Sequence, residues 1–315
     1  MILTRTPLRI SFAGGGSDLP QFFETQPGAV LAAAINQYMY LAVNDKFDGG
    51  VRVSYSRTEN VADADALEHD LARETLKHFD IAHGIEIVSV ADVPSGTGLG
   101  SSSAYAVGLY AALQERAQRG ALVRALLARS AAEIEMHHCG RNVGLQDHYT
   151  AAHGGVRLYQ FSPEGVETGP QLDDTLTLPL RSHLLLFYAG GTHDAHALLT
   201  AQSADAGWVE RTQRLAQYAK DMCAALQLKR FDAFGEMLHE TWLIKRAYAS
   251  NPEIDELYRR ALHAGAWGGK LCGAGGAGFL LVCAPPERHP QICRTLGLPV
   301  LDFAFENRGV EVWHV

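Results

Sequence analysis

The 315-residue chain has no apolar stretch approaching the roughly 18 residues that would mark a membrane-spanning helix. Its opening, MILTRTPLRISFAGGG, carries arginines through its apolar part, so it reads as a strand and not as a secretory leader. It has no excess of positive charge. The formal net charge is −8, which excludes a broad nucleic-acid surface but leaves room for a local basic pocket. Cysteine is scarce: Cys139, Cys223, Cys272, Cys283 and Cys293 are odd in number and none has CxxC spacing. That excludes a disulfide framework and fits a reduced, cytoplasmic protein with neither a membrane nor a nucleic-acid partner. The P-loop pattern GxxxxGK[ST] is missing, and so is a GxGxxG fingerprint followed by a ribose-binding acid. There is no fixed-period repeat and no low-complexity tract.

What is present is an ordinary globular composition, 47% hydrophobic and 20% charged, long enough for one large domain or two. LRISFA, VRVSYS and GIEIVSVA alternate as strands, and AVLAAAINQYMYLAVN contains a β-rich stretch. LEHDLARETLKHF and residues 121–138 have helical periodicity. The polar, Gly- and Pro-broken segment 160–179 reads as a connection between an N-terminal part, 1–170, and a C-terminal part, 171–315. Beyond it come a strand at 183–189, helical patterns at 194–226, 230–248 and 252–265, and a strand at 278–284. A helix near 287–295 and strands VLDFAF and VEVWHV follow. This interleaving lacks a clean βαβ repeat and points to α+β, not to a doubly wound sheet.

The most informative stretch is PSGTGLGSSSAYAVGLYAAL, residues 94–113. Three alternating glycines precede three serines and an apolar helical pattern that starts near Ser101. Glycines admit left-handed turns and a close approach to backbone N–H groups. The first N–H groups of a helix have no intrahelical partner, and its dipole favours negative charge. A glycine-rich loop opening a helix is therefore an anion site, most often for phosphate. The serines could cap the helix or offer a hydroxyl to Mg²⁺.

With PLRISFAGGGSD (7–18) and KLCGAGGAGF (270–279), PSGTGLGSSSA resembles the three ordered motifs of the GHMP small-molecule kinases. The resemblance covers nearly the whole chain. It implies the GHMP kinase fold, a ribosomal-S5-like N-terminal domain joined to a ferredoxin-like C-terminal domain. It also implies ATP and Mg²⁺ as cofactors. Within the family, PLRISFAGGGSD, GLQDHYTAAHGG and GGKLCGAGGAGF look most like the sugar-1-kinases. The expected reaction is phosphorylation of the anomeric hydroxyl of a sugar, D-glycero-D-manno-heptose 7-phosphate giving the 1,7-bisphosphate. A neutral sugar of the fucose or galactose type is the runner-up. A homodimer is the macromolecular partner to be tested.

Carried over residue by residue, the resemblance puts the nucleotide phosphates on Pro94, Gly96, Thr97, Gly98, Leu99, Gly100, Ser101, Ser102 and Ser103. It makes Asp147 the catalytic base, with Arg9 stabilising both that carboxylate and the moving phosphoryl charge. Asp18, with Gly15, Gly16, Ser17 and Gly275, is expected to face the sugar, since an ionised carboxylate accepts from neighbouring hydroxyls. Ser102 is the expected metal ligand. For the second ligand, regular helical spacing turns Glu133 nearer the apolar stripe than Glu135, whereas the resemblance favours Glu135, directly after Ile134. Glu135 is adopted. A far-end sugar phosphate needs local cations, for which Lys245, Arg246 and Lys270 are candidates or else solvated surface charges.

Two readings compete. His137, His138, Cys139, His148 and His153 are soft ligands, but no spacing matches HExxH or paired CxxC zinc motifs. A non-catalytic nucleotide- or sugar-sensing protein would have no need of Asp147, Arg9 and the full serine loop together.

Overall fold

The computed structural model describes residues 1–118, 120–191, 200 and 205–315. Its larger sheet is built from β1 (Ile2–Ala13), β2 (Gly28–Asp45), β3 (Val51–Ser54), β4 (Thr58–Val61), β5 (Ile85–Ala91), β6 (Val156–Ser162), β7 (Gly165–Thr168) and the closing strand Glu311–His314. The order is closing strand, β1, β2, β5, β3, β4; the start of β2 also pairs with β6, which carries β7. All pairs are antiparallel except β3 with β5. The eighteen-residue β2 thus serves two neighbours on one side, β6 along 28–33 and β5 along 39–45. Residues 29–35 are consecutively buried, so both faces of the strand are covered. Four of the seven are alanine, small enough to let helices approach closely.

The α-helices bounded within the described residues are α1 (Pro20–Phe23), α2 (Asp70–His78), α3 (Ser101–Arg116), α4 (Arg124–Glu133), α5 (Gln146–His153), α6 (Asp174–Ser182), α7 (Trp208–Gln227), α8 (Phe231–Ala249), α9 (Pro252–His263) and α10 (His289–Leu296). α3 and α7 both pack against β1 and β2. A second antiparallel sheet has the order β8 (Leu184–Tyr188), β10 (Phe279–Cys283), β9 (Gly268–Leu271), with α8 against β9. The closing strand, β11, returns to the first sheet and pairs with β1 from Ile2 to Arg5, so the chain's two ends lie together.

Several expectations are corrected. The segment 160–179 is no linker: Val156–Ser162 and Gly165–Thr168 form a hairpin whose turn holds Pro163 and Glu164, and α6 starts beyond a side-chain cap from Asp173. Its turn residues punctuate these elements. VLDFAF is not a strand. Val300 bridges to Phe187 in the second sheet and Phe305 to Ile35 in the first, so this stretch crosses between sheets and ladders with neither. The helix read over 121–138 is α-helical from 124 to 133 and then widens into a π turn, Ile134–His138. Of the helix read over 194–226, residues 208–226 are helical and most of the earlier part lies outside the described residues.

Candidate active site

The glycine loop leaves β5 and enters α3 at Ser101. Gly96, Gly98 and Gly100 all have positive φ, at 74°, 84° and 76°. At Gly98 a Cβ would also lie 2.5 Å from the Cys272 carbonyl oxygen, so the position excludes any larger residue twice over. The cap of α3 is Gly100 itself, with no side-chain cap bond, so the serines do not cap the helix. The first helical bond runs from Ala104 N–H to Gly100 O. The N–H groups of Ser101, Ser102 and Ser103 therefore lie in the turn that lacks helical acceptors. Thr97 and Leu99 turn their side chains into the protein. The Thr97 hydroxyl donates to Pro94 O at 2.8 Å, and both carbonyls accept backbone bonds, from Phe279 and Arg9 respectively. Neither side chain lines the cleft; the Thr97 hydroxyl braces the loop from inside and Leu99 packs in the core.

Arg9 and Asp147 are 138 residues apart and meet beside this loop. β1 delivers the arginine and the first turn of α5 the aspartate. Arg9 Nε donates to Asp147 Oδ1 and Nη2 to Oδ2, each at 2.6 Å, in a bidentate fork, while Nη1 donates to Gly98 O at 2.7 Å. Asp18 is buried next to them and accepts from the N–H groups of Gly16 at 2.9 Å and Gln146 at 3.2 Å. Burial, then the negative charge of Asp147, hold its carboxyl above the usual range. Ser17 does not reach the cleft: it is fully buried, donates to Gly14 O and Ala29 O, and accepts from Ala29 N–H, pinning the turn to β2.

Backbone geometry sends Glu133 and Glu135 to different surroundings. Glu133 is exposed and pairs with Arg129. The π turn that starts at Ile134 breaks the 100° step and rotates Glu135 inward, where it is fully buried. Its Oε1 accepts from the Ser102 hydroxyl and, at 3.2 Å, from Arg141 Nη1. Its Oε2 accepts from Ser103 Oγ at 3.2 Å and bonds His148 Nε2 at 2.8 Å. Burial alone would raise its pKa; the bonds from His148 and Ser102 and the Arg141 charge outweigh burial and bring it to about 2. Arg141 also donates to Ser102 Oγ at 2.9 Å and grips Asp70 at 2.7 Å. Of the soft-ligand candidates, His137 and His138 are exposed, His148 faces Glu135, and His153 bonds back to Tyr149 O.

These groups line one cleft of about 1120 Å³, together with Gly15, Gly16, Gly273, Ala274 and Lys245. The third glycine loop closes on the first, since Gly273 abuts Gly98 and Phe279 N–H bonds Thr97 O. Gly275 is not on the cleft: its Cα faces Ala249 at the end of α8, and the neighbouring Gly276 N–H bonds Ala249 O. Nor are two of the three candidate cations. Arg246 pairs with Asp255 on the surface, and Lys270 is buried, donating to Ser11 O and Phe12 O. The sequence reading missed the far end of the cleft, where Tyr55, His69 and Tyr105 form an aromatic wall, with ring centroids 4.7 and 4.8 Å from that of His69. It also missed Arg141, hidden inside the histidine-rich run. No local signal marks either, because Ser102 and Asp70, which Arg141 joins to Glu135, and the rings of the wall come from distant parts of the chain.

A glycine-cradled helix start, an arginine-held aspartate and two facing glycine loops define a small-molecule kinase. The description "GHMP kinases N terminal domain" matches residues 66–155 and "GHMP kinases C terminal" matches 222–296; the chain belongs to the GHMP kinase family. A D-glycero-α-D-manno-heptose 7-phosphate kinase of Campylobacter jejuni is 27% identical, over 100% of this chain and 99% of that protein. A bifunctional fucokinase/GDP-fucose pyrophosphorylase of Arabidopsis thaliana is 25% identical over 88% of this chain, which spans only 29% of that longer protein. Among solved structures, a D-glycero-D-manno-heptose 1-phosphate kinase from Bacteroides thetaiotaomicron has a TM-score of 0.82 at 26% identity, covering 100% of this chain and 99% of that one.

Proposed function

We propose that this chain is an ATP-dependent sugar kinase that phosphorylates the anomeric hydroxyl of D-glycero-D-manno-heptose 7-phosphate. The observation that carries it is the Arg9–Asp147–Asp18 group between two glycine loops, in a chain that matches the heptose 7-phosphate kinase end to end. The N–H groups that open α3 and the loop before it hold the ATP phosphates. The Tyr55, His69 and Tyr105 rings receive the flat base by stacking. Asp18 accepts from sugar hydroxyls and orients the ring. Asp147 accepts the proton of the anomeric hydroxyl as the oxygen bonds to phosphorus. Arg9 holds that carboxylate in place through its two-bond fork and adds positive charge beside the transferring group.

The pairing of Ser102 Oγ with the Glu135 carboxylate offers two hard oxygen donors, the chemistry Mg²⁺ selects. When bound there, the metal neutralises phosphate charge. His148 and Ser103 hold the carboxylate in place for it. We take residues 1–170 as the part that binds ATP and sugar, and 171–315 as the part that carries the third glycine loop, with β11 tying the second to the first. The cytoplasm is the location that suits five free cysteines and a sugar phosphate substrate.

The test is ADP release and phosphorus NMR of the product with heptose 7-phosphate, mannose, galactose and fucose. The expected product is a 1,7-bisphosphate. The expected preference in kcat/KM is about tenfold to a hundredfold for the phosphorylated sugar, the worth of one charge-assisted contact. The fucokinase relative supports the second reading, and equal or better turnover of fucose or galactose would establish it in place of the first.

A further inference from the structure

Lys245 enters the cleft from α8, in the half of the chain opposite Arg9 and Asp147. It is 7% exposed and lines the cleft beside Gly273 and Ala274. Its ammonium donates to Gly273 O at 2.9 Å. An ammonium carries three donors, and among the described residues no carboxylate lies within 4.0 Å of this one. A buried charge without a counter-ion is costly. Burial, then the positive charge of Arg9, lower the Lys245 pKa to about 8.

The charged and titratable groups around it are Arg9, Asp18, Asp147, Lys270 and Cys272. Arg9 and Asp147 satisfy each other, Asp18 is held by two backbone N–H groups, and Lys270 is held by two carbonyls. Lys245 is therefore the cation of this corner with donors to spare, and what the corner lacks is an anion. Its neighbours are the groups assigned to bond formation, so this is not a remote anchor for the far end of a sugar.

We propose that Lys245 is a catalytic residue whose ammonium contacts the phosphoryl group as it passes from ATP to the sugar. This rests on the kinase reading above. Asp147 takes the proton of the sugar hydroxyl and the hydroxyl oxygen bonds to the γ-phosphorus. The bond from that phosphorus to the bridging oxygen breaks, and ADP leaves with the electron pair. Lys245 keeps its proton throughout and offsets the charge of the moving group from the C-terminal side of the cleft.

The experiment compares the full-length wild type with Lys245→Met and Lys245→Arg in kcat, in KM for ATP and for the sugar, in pH profile and in thermal melting. Lys245→Met is expected to lower kcat by roughly 10²–10³, as loss of one preorganised donor does. Both KM values should stay within about threefold, and the free variant should melt no lower than the wild type, because an unpaired buried charge is gone. Wild-type kcat/KM should fall above about pH 8 as Lys245 of the free enzyme loses its proton, and Lys245→Arg should move that limb upward. A Lys245→Met enzyme with kcat within about threefold of wild type would overturn the proposal. So would a loss confined to the KM of the phosphorylated sugar. A wild type that phosphorylates no sugar would instead overturn the kinase reading itself, before any variant is compared.

Discussion

Asp147→Asn separates what the Arg9–Asp147 fork does for folding from what it does for transfer. The Arg9 side chain is 7% exposed and that of Asp147 21%, so the pair is largely but not fully desolvated. Asparagine keeps one oxygen acceptor but presents an amide N–H₂ to a guanidinium that only donates. One of the two 2.6 Å bonds is lost and the arginine charge remains in place. A hydrogen bond to a charged group contributes about 1.5–3 kcal/mol, and breaking a fully buried pair costs roughly 3–5 kcal/mol. At this exposure the expected loss is about 2–3 kcal/mol, or on the order of 5 °C in melting temperature. The loss in kcat should be far larger, about 10²–10⁴-fold, because the proton acceptor is gone. Adding Arg9→Met removes the stranded cation. The double variant should be more stable than the sum of the single losses predicts, by about 1–3 kcal/mol, without recovering kcat. Thermal melts of the four proteins and coupled ADP-release kinetics supply the cycle. Near-wild-type kcat in Asp147→Asn would remove it from the proton transfer, and strictly additive melting losses would show that the fork carries no coupling energy.

Three further outcomes are expected. Gly98→Ala should weaken ATP binding by about tenfold or more, read by calorimetry, because the left-handed backbone disfavours a side chain and the new methyl would strike Cys272 O. Asp18→Asn should weaken sugar binding, read by calorimetry, and should change the melting temperature at pH 7 by less than Asp147→Asn does, because removing a buried charge offsets the loss of one of its two backbone N–H bonds. The folded state raises the Asp18 pKa, so its ionised form costs stability at neutral pH and that cost fades as pH falls through the raised value. Glu135 has the opposite sign: with its pKa near 2, its stabilisation is full above the ordinary value of 4.5 and is lost as pH falls toward 2. Glu135→Gln should therefore flatten the acid limb of a melting-versus-pH curve, and in the wild type EDTA should abolish turnover. A steep acid limb in the variant, or turnover indifferent to EDTA, would separate Glu135 from those roles.

Residue type alone determined the features whose cause is local. Alternating glycines before a serine-rich helix start can form little but a tight, N–H-lined turn, and the structure has that turn. Strands such as 51–54 and 85–91 were legible because a strand's alternation depends only on which face is wet. Family resemblance added Arg9, Asp18 and Asp147, which no spacing could bring together across 138 residues. Tertiary structure decided the rest. Glu135 and not Glu133 faces Ser102 because a π turn breaks the helical step that sequence periodicity assumes. Ser17 and Gly275 carry the right residue types in the right motifs, yet one pins a turn to β2 and the other packs on Ala249. Residues 300–305 have the alternation of a strand but are shared between two sheets. Lys245, Arg246 and Lys270 were alike as letters. Packing made one a surface ion pair, one a clamp on two buried carbonyls, and one a cation in the cleft without a counter-ion. Which neighbours a side chain meets depends on the packing of distant elements, and a charge acquires its chemistry from those neighbours.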